Sequence, residues 1–141
     1  MPRIIRINHI GLATASMEEA LRVFSDGLGL DLDDTEDVPG DHVRVSFFPV
    51  GESRFEFLEP LGAEGPVQKF IEKRGPGIHH ICLEVEDLAG MLDRLREHNV
   101  ELIDQEPRPG AHGTTVAFVH PKAANGVLVE LVESSSLEHH G

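Results

Sequence analysis

Two histidines stand as polar residues in otherwise apolar, strand-like runs: His9 in NHIGLA and His80 in HHICLE. Two glutamates hold a matching place in a second pair of runs, Glu56 in RFEFLE and Glu130 in VLVELV. A lone histidine in such a strand is usually a satisfied core or surface residue, and a lone strand carboxylate usually faces water. Repetition changes that weighing. A buried carboxylate is costly unless another charge or strong hydrogen bonds compensate it. Two carboxylates and two imidazoles at equivalent positions therefore point to a cation. Imidazole nitrogen and carboxylate oxygen suit Zn, Co, Ni, Mn or Fe, and no thiolate cluster selects structural zinc. Two carboxylates balance a divalent charge. Four protein ligands leave two octahedral positions for water or substrate, which Lewis-acid chemistry requires.

The elements that must carry these residues also repeat. Ile4–Ala13 reads as a strand. Ser16 precedes Glu19 by the spacing of a capping box, and Met17, Ala20, Leu21 and Phe24 recur at helical intervals until Gly27 and Gly29. Leu30–Leu32 reads as a short edge strand before the acidic loop DDTEDVPGD. Val43–Phe48 and Arg54–Glu59 are strands around a turn, with Arg54, Glu56 and Leu58 on one face. Pro66–Arg74 reads as a connecting helix, with Pro66 in its first turn. The order then returns: strand Ile78–Val85, a helix stripe of Leu88, Met91, Leu92 and Leu95 capped by Asp87, a short strand Val100–Ile103, the loop PRPGAHG, and strands Thr115–Val119 and Val127–Val132.

Each half is thus β-α-β-β-β, a supersecondary unit whose apolar face needs a neighbour. The expected fold class is α+β: two paired βαβββ modules forming a curled mixed-sheet metal cleft. The expected organisation is a single domain over 4–133, with half-modules 4–60 and 78–133. Residues 134–141 are expected to form a flexible tail, in which LEHH looks like the start of a vector-derived histidine tag.

Composition bounds the function. The chain has 141 residues, enough for one modest core, and its formal charge of −13 supplies no diffuse positive field for nucleic acid or anionic lipid. The single cysteine, Cys82, cannot form an intrachain disulfide. It alternates with His80 and reads first as a small core hydrophobe. No apolar run approaches a membrane span and no signal-peptide pattern opens the chain, so the expected location is cytoplasmic. There is no GxGxxG, Walker loop, HExxH helix or serine elbow. His79 has the opposite strand parity to His80 and should point away from it, while His42, His112 and His120 fall in loops or at strand ends.

Beyond these readings, the chain resembles the methylmalonyl-CoA epimerases of the vicinal oxygen chelate superfamily, which also includes glyoxalase I and extradiol dioxygenases. The resemblance runs from Ile7 to Glu133 through NHIGLAT, FEFLEP, KFIEKRGPGIHHICLEVED, LIDQEPRPGAHG and HPKAANGVLVELVE. It implies the vicinal oxygen chelate fold and metal ligands His9, Glu56, His80 and Glu130. It also implies a divalent cation, commonly Co²⁺ with Zn²⁺, Mn²⁺ or Ni²⁺ as substitutes, a homodimer, and epimerisation of (2R)- and (2S)-methylmalonyl-CoA in propionate metabolism. One departure is Arg44, which matches a position where some relatives carry a glutamate proposed to transfer a proton; a guanidinium stays protonated and cannot.

In such a reaction Glu130 is the first candidate for proton transfer, with Glu56 a second catalytic candidate. Lys122, beside the last strand, is the candidate substrate-binding cation, ahead of Lys69, Lys73 and Arg74, whose spacing suits a solvated helix face. A glyoxalase-like lyase or isomerase acting on a small thiol adduct would use the same four ligands. A dioxygenase would need only two histidines and one carboxylate. A metabolite-binding protein without catalysis would not require the complete set.

Overall fold

The computed structural model of the chain describes residues 2–110 and 113–134. His112 and all but the first residue of the expected tail lie outside them. The described residues form an α+β arrangement of eight strands and three α-helices. The strands are β1 (Arg3–Ala13), β2 (Asp34–Val38), β3 (Val43–Val50), β4 (Ser53–Pro60), β5 (Gly77–Glu86), β6 (Arg108–Pro109), β7 (Thr115–Val119) and β8 (Leu128–Glu133). The helices are α1 (Met17–Leu21), α2 (Pro66–Arg74) and α3 (Leu88–Glu97). None of these helices is long and apolar enough to cross a membrane.

Two compact units divide the chain, one from His9 to His79 and the other formed by the residues up to Asn8 together with those from His80 on. In the first unit the strand order is β2-β3-β4-β1. Its outer pairs are antiparallel, whereas β1 runs parallel to β4. Side chains alternate across this sheet. Phe48 and Phe57 turn to one face and pack with Met17 and Ala20 of α1, joined by the tilted ring of Phe24. Ala13, Val43, Val45 and Leu58 turn to the other face and receive Val67 of α2.

The second unit mirrors this pattern. There β5 pairs in parallel with β8, and β8-β7-β6 continues antiparallel. One face supplies Val85, Ala117, Val119 and Leu131 to Leu88 and Leu92 of α3. The opposite face carries Cys82, Val116 and Val132. The start of β1 is tied to this unit by Arg3, which donates to Glu86 from Nε and Nη2 at 2.9 and 2.7 Å.

The helix starts show how closely the halves correspond. Ser16 accepts from the Glu19 amide at 3.2 Å, as the capping spacing predicts, and Asp87 accepts from the Gly90 amide at 3.0 Å. Asp87 takes a left-handed conformation, φ 58°, and its carboxylate fills the space where a side chain at position 90 would stand. Any larger residue at position 90 would require the Asp87 carboxylate to shift from that cap. A further glutamate in each half reaches back from the last strand: the Met17 amide donates to Glu59 at 2.8 Å and the Leu88 amide to Glu133 at 2.6 Å. A carboxylate at a helix N-terminus satisfies an orphan donor and meets the positive end of the helix dipole.

Three local expectations are corrected. The edge strand is not Leu30–Leu32 but Asp34–Val38, inside the acidic run. An edge strand needs only one partner and no buried face, so its charges stay exposed while Asp37 pairs with Arg44 across the ladder. Val100–Ile103 forms only the isolated bridge of Leu102 to Val119, and Arg108–Pro109 becomes the edge strand instead. The first helix leaves α geometry after Leu21 and continues as a π-helix over Arg22–Gly27.

Glu133→Ala and Glu59→Ala should each lower unfolding stability by about 1–3 kcal/mol, measured by urea denaturation at neutral pH, because each leaves a helix amide without its charged acceptor. His79 offers a second check. It packs edge-on against Phe70 at 4.9 Å, and burial holds its imidazole below the ordinary value of 6.5. As pH falls through the ordinary imidazole range the unfolded chain takes up this proton first, so the folded state loses stability. His79→Phe should therefore reduce the loss of stability between about pH 7.5 and about pH 5.5; an unchanged pH dependence would count against it.

Candidate functional site

In the first unit, β1 presents His9 and β4 presents Glu56. The parallel register aligns Gly11 with Glu56, so the histidine two residues earlier shares the glutamate's face. His9 Nδ1 lies 3.2 Å from Glu56 Oε2, and both residues are buried. Two atoms bound at about 2.1 Å to one cation, at angles near 90–110°, lie about 3.0–3.4 Å apart. The separation of this pair falls within the range that two ligands of one divalent ion take.

Arg54 completes the group. Its Nε donates to Glu56 Oε2 at 2.7 Å, its Nη2 stands in ion-pair contact with the same oxygen at 2.7 Å, and its guanidinium lies 5.8 Å from the centre of the Phe47 ring. Phe47 is the residue directly opposite Glu56 on β3. The alternation of Arg54 and Glu56 was visible in the sequence as one shared face. Its consequence, a guanidinium bound to a proposed ligand, was not drawn from it.

In the second unit the same construction returns. The β5–β8 register aligns Cys82 with Glu130, again placing a histidine two residues before the glutamate's partner. His80 Nε2 lies 3.7 Å from Glu130 Oε1, so a shared cation would need this pair to close by a few tenths of an ångström. Phe118 stands opposite Glu130 as Phe47 stands opposite Glu56. An arginine again covers that ring, Arg108 at 5.4 Å, but it donates to Asp104 at 3.1 Å. The two halves thus share the histidine, the glutamate and the aromatic neighbour and differ in where the arginine is spent. Cys82 shares the site face, 1% exposed and packed with Val116 and Val132, so it serves as core beside Glu130.

Other sequence candidates fall elsewhere. Arg44 pairs in register with Glu59, not Glu56, and its guanidinium engages Asp37 at 2.7 Å and Glu59 at 3.8 Å. It lies on the α1 side of the sheet. The residues of β3 on the Glu56 side are Val43, Val45, Phe47 and Pro49, none of which has an ionisable proton. Lys122 is exposed in the turn leading into β8, with its backbone amide donating to His120 Nδ1 at 3.1 Å. His120 is also 3.8 Å from Glu101, and His42 forms the left-handed end of the turn at 39–41. Lys69, Lys73 and Arg74 are exposed on α2, where Arg74 covers Phe70.

Residues 8–118 match the Glyoxalase/Bleomycin resistance protein/Dioxygenase superfamily. The chain is 42% identical over 134 residues to the uncharacterized protein YqjC of Bacillus subtilis, covering 95% of this chain and 96% of that one. It is 41% identical to an ethylmalonyl-CoA/methylmalonyl-CoA epimerase of Cereibacter sphaeroides, covering 89% and 96% respectively. Its fold matches a variant of Streptomyces coelicolor methylmalonyl-CoA epimerase in complex with 2-nitronate-propionyl-CoA, with a TM-score of 0.81, 31% identity and coverage of 95% and 97%. The repeated βαβββ order, the two histidine–glutamate pairs and these likenesses agree: the chain belongs to the glyoxalase/bleomycin resistance protein/dioxygenase, or vicinal oxygen chelate, superfamily and has its fold, with methylmalonyl-CoA epimerases among its relatives.

Proposed function

We propose that this chain is a metal-dependent methylmalonyl-CoA epimerase in which His9, Glu56, His80 and Glu130 hold one divalent cation. The observation that carries this reading is the duplicated register, which gives each half a histidine–glutamate pair of ligand type. The epimerases among the relatives supply the substrate, and the nitronate complex of one of them supports a planar, anionic intermediate. Co²⁺ is the preferred ion of the proposal, and the protein acts as a cytoplasmic homodimer.

The α-hydrogen of methylmalonyl-CoA lies between a thioester and a carboxylate, and its removal develops enolate charge. A bound divalent cation supplies Lewis-acid stabilisation of that charge. Glu130 takes the proton as the C–H bond breaks and the electron pair moves into the enolate. Protonation of the planar carbon from its opposite face, by Glu56 in its acid form, a water or a loop histidine, then gives the other epimer, and Glu130 releases its proton to solvent. Glu56 is the other carboxylate of the ligand set and a second candidate in proton transfer. Lys122 is kept as a candidate contact for the acyl-CoA, since lysine can reach from an exposed turn. Arg44 has no part, because its side chain is spent on the opposite face.

Proton NMR of methylmalonyl-CoA in deuterated water tests the proposal, using chelator-treated protein and the same protein restored with Co²⁺. Exchange of the α-hydrogen and interconversion of the epimers should depend on the metal. Glu130→Gln should lower turnover by about 10²–10⁴-fold. Exchange at the wild-type rate in Glu130→Gln would remove its assigned role. Tight binding without exchange would instead identify a metabolite-binding protein, and exchange confined to a small-thiol adduct a glyoxalase-like enzyme.

A further inference from the structure

We propose that Arg54 is a positioning residue that sets how tightly the site holds its cation. The inference rests on the proposed metal reading and concerns a residue outside the ligand set. Arg54 holds one oxygen of Glu56 by a hydrogen bond from Nε and an ion-pair contact from Nη2, both at 2.7 Å, and that same oxygen lies 3.2 Å from His9 Nδ1. Glu56 is nearly enclosed, with its side chain 12% exposed, whereas the Arg54 side chain is 38% exposed. The guanidinium therefore screens the carboxylate from its solvent side and remains partly hydrated itself.

Two consequences follow for a divalent ion at this carboxylate. Oε2 is already shared with the guanidinium, so its negative charge is divided between two cations. The fixed charge of Arg54 also repels the incoming ion over a few ångströms of partly desolvated space, where Coulomb terms remain strong. Against this, Arg54 helps to order the Glu56 side chain before the ion arrives, but burial to 12% exposure already removes most of that freedom, so little of the ordering is left to Arg54. Repulsion exceeds preorganisation, so Arg54 weakens metal binding and leaves the loaded site less negative. A less negative site favours an anionic, enolate-forming substrate. The arginine over the equivalent ring of the second unit, Arg108, donates to Asp104, so Arg54 is the one of the two seen bound to its glutamate.

The test is titration of Co²⁺ into the chelator-stripped full chain by calorimetry, with the Co²⁺ absorption spectrum recorded alongside. Arg54→Gln, which retains a hydrogen-bond donor but no charge, should bind Co²⁺ about tenfold more tightly than wild type, with the difference shrinking at high salt. Arg54→Lys retains the charge and should stay within about threefold of wild type. Equal or weaker binding by Arg54→Gln would overturn the proposal. So would a lysine variant that behaves as the glutamine variant does. If Arg54→Gln fails to fold, Glu56→Gln and the double variant Arg54→Gln/Glu56→Gln read the same charge, and the double variant should bind more tightly than the single. His9→Ala and His80→Ala separate the two levels: if they bind Co²⁺ as wild type does, the ligand assignment itself fails, whereas their loss of binding with an unaffected Arg54→Gln rejects only the role of Arg54.

Discussion

Parallel pairing within each half is the constraint on which the rest depends. When β1 runs beside β4, and β5 beside β8, residues that share a register share a face. In both pairs the glutamate stands opposite the residue two positions beyond the histidine. A shift of one residue in either register would turn the carboxylate toward the face packed by α1 or α3. There it would displace apolar side chains such as Phe57 or Leu131 from the core. Packing against α1 or α3 on one face and the histidine–glutamate pair on the other are therefore enforced by the same alignment.

The second glutamate of each last strand reinforces that alignment. Glu59 and Glu133 lie three residues beyond Glu56 and Glu130 and so point to the opposite face, where each accepts from the first amide of a helix. A strand that slipped would lose the cap as well as the packing. Histidine strand, helix start and glutamate strand are thus held as one group in each half. The duplication is a repeat of interactions and not only of element order.

The halves differ in their electrostatics. Arg54 binds Glu56 directly, while Arg108 covers the equivalent aromatic ring but is bound to Asp104. Identical backbone registers therefore leave the neighbouring arginines free to bind different carboxylates, Glu56 in one half and Asp104 in the other. This matters for any chemistry that needs one carboxylate to ligate and another to move a proton, because roles diverge when environments diverge. It also explains why Arg44 contributes nothing to the site: alternation sends it to the side where Asp37 and Glu59 already balance it.

Most of the fold was legible in the sequence because it is written in local terms. Alternation marked the strands, helical spacing and Pro66 marked α2, and the Ser16 and Asp87 caps marked the starts of α1 and α3. Repetition singled out His9, Glu56, His80 and Glu130, and strand parity separated His79 from His80. The edge strands were not legible, because Asp34–Val38 and Arg108–Pro109 have no buried face to impose a pattern. Pairing partners lie far apart in the chain, so only tertiary structure decided the partners of Arg44, Glu59 and Glu133. The same holds for the charges around the duplicated glutamates: sequence determined that both exist at matching positions, and folding decided that an arginine binds Glu56, because that contact needs both a face shared along β4 and the enclosure supplied by its neighbours.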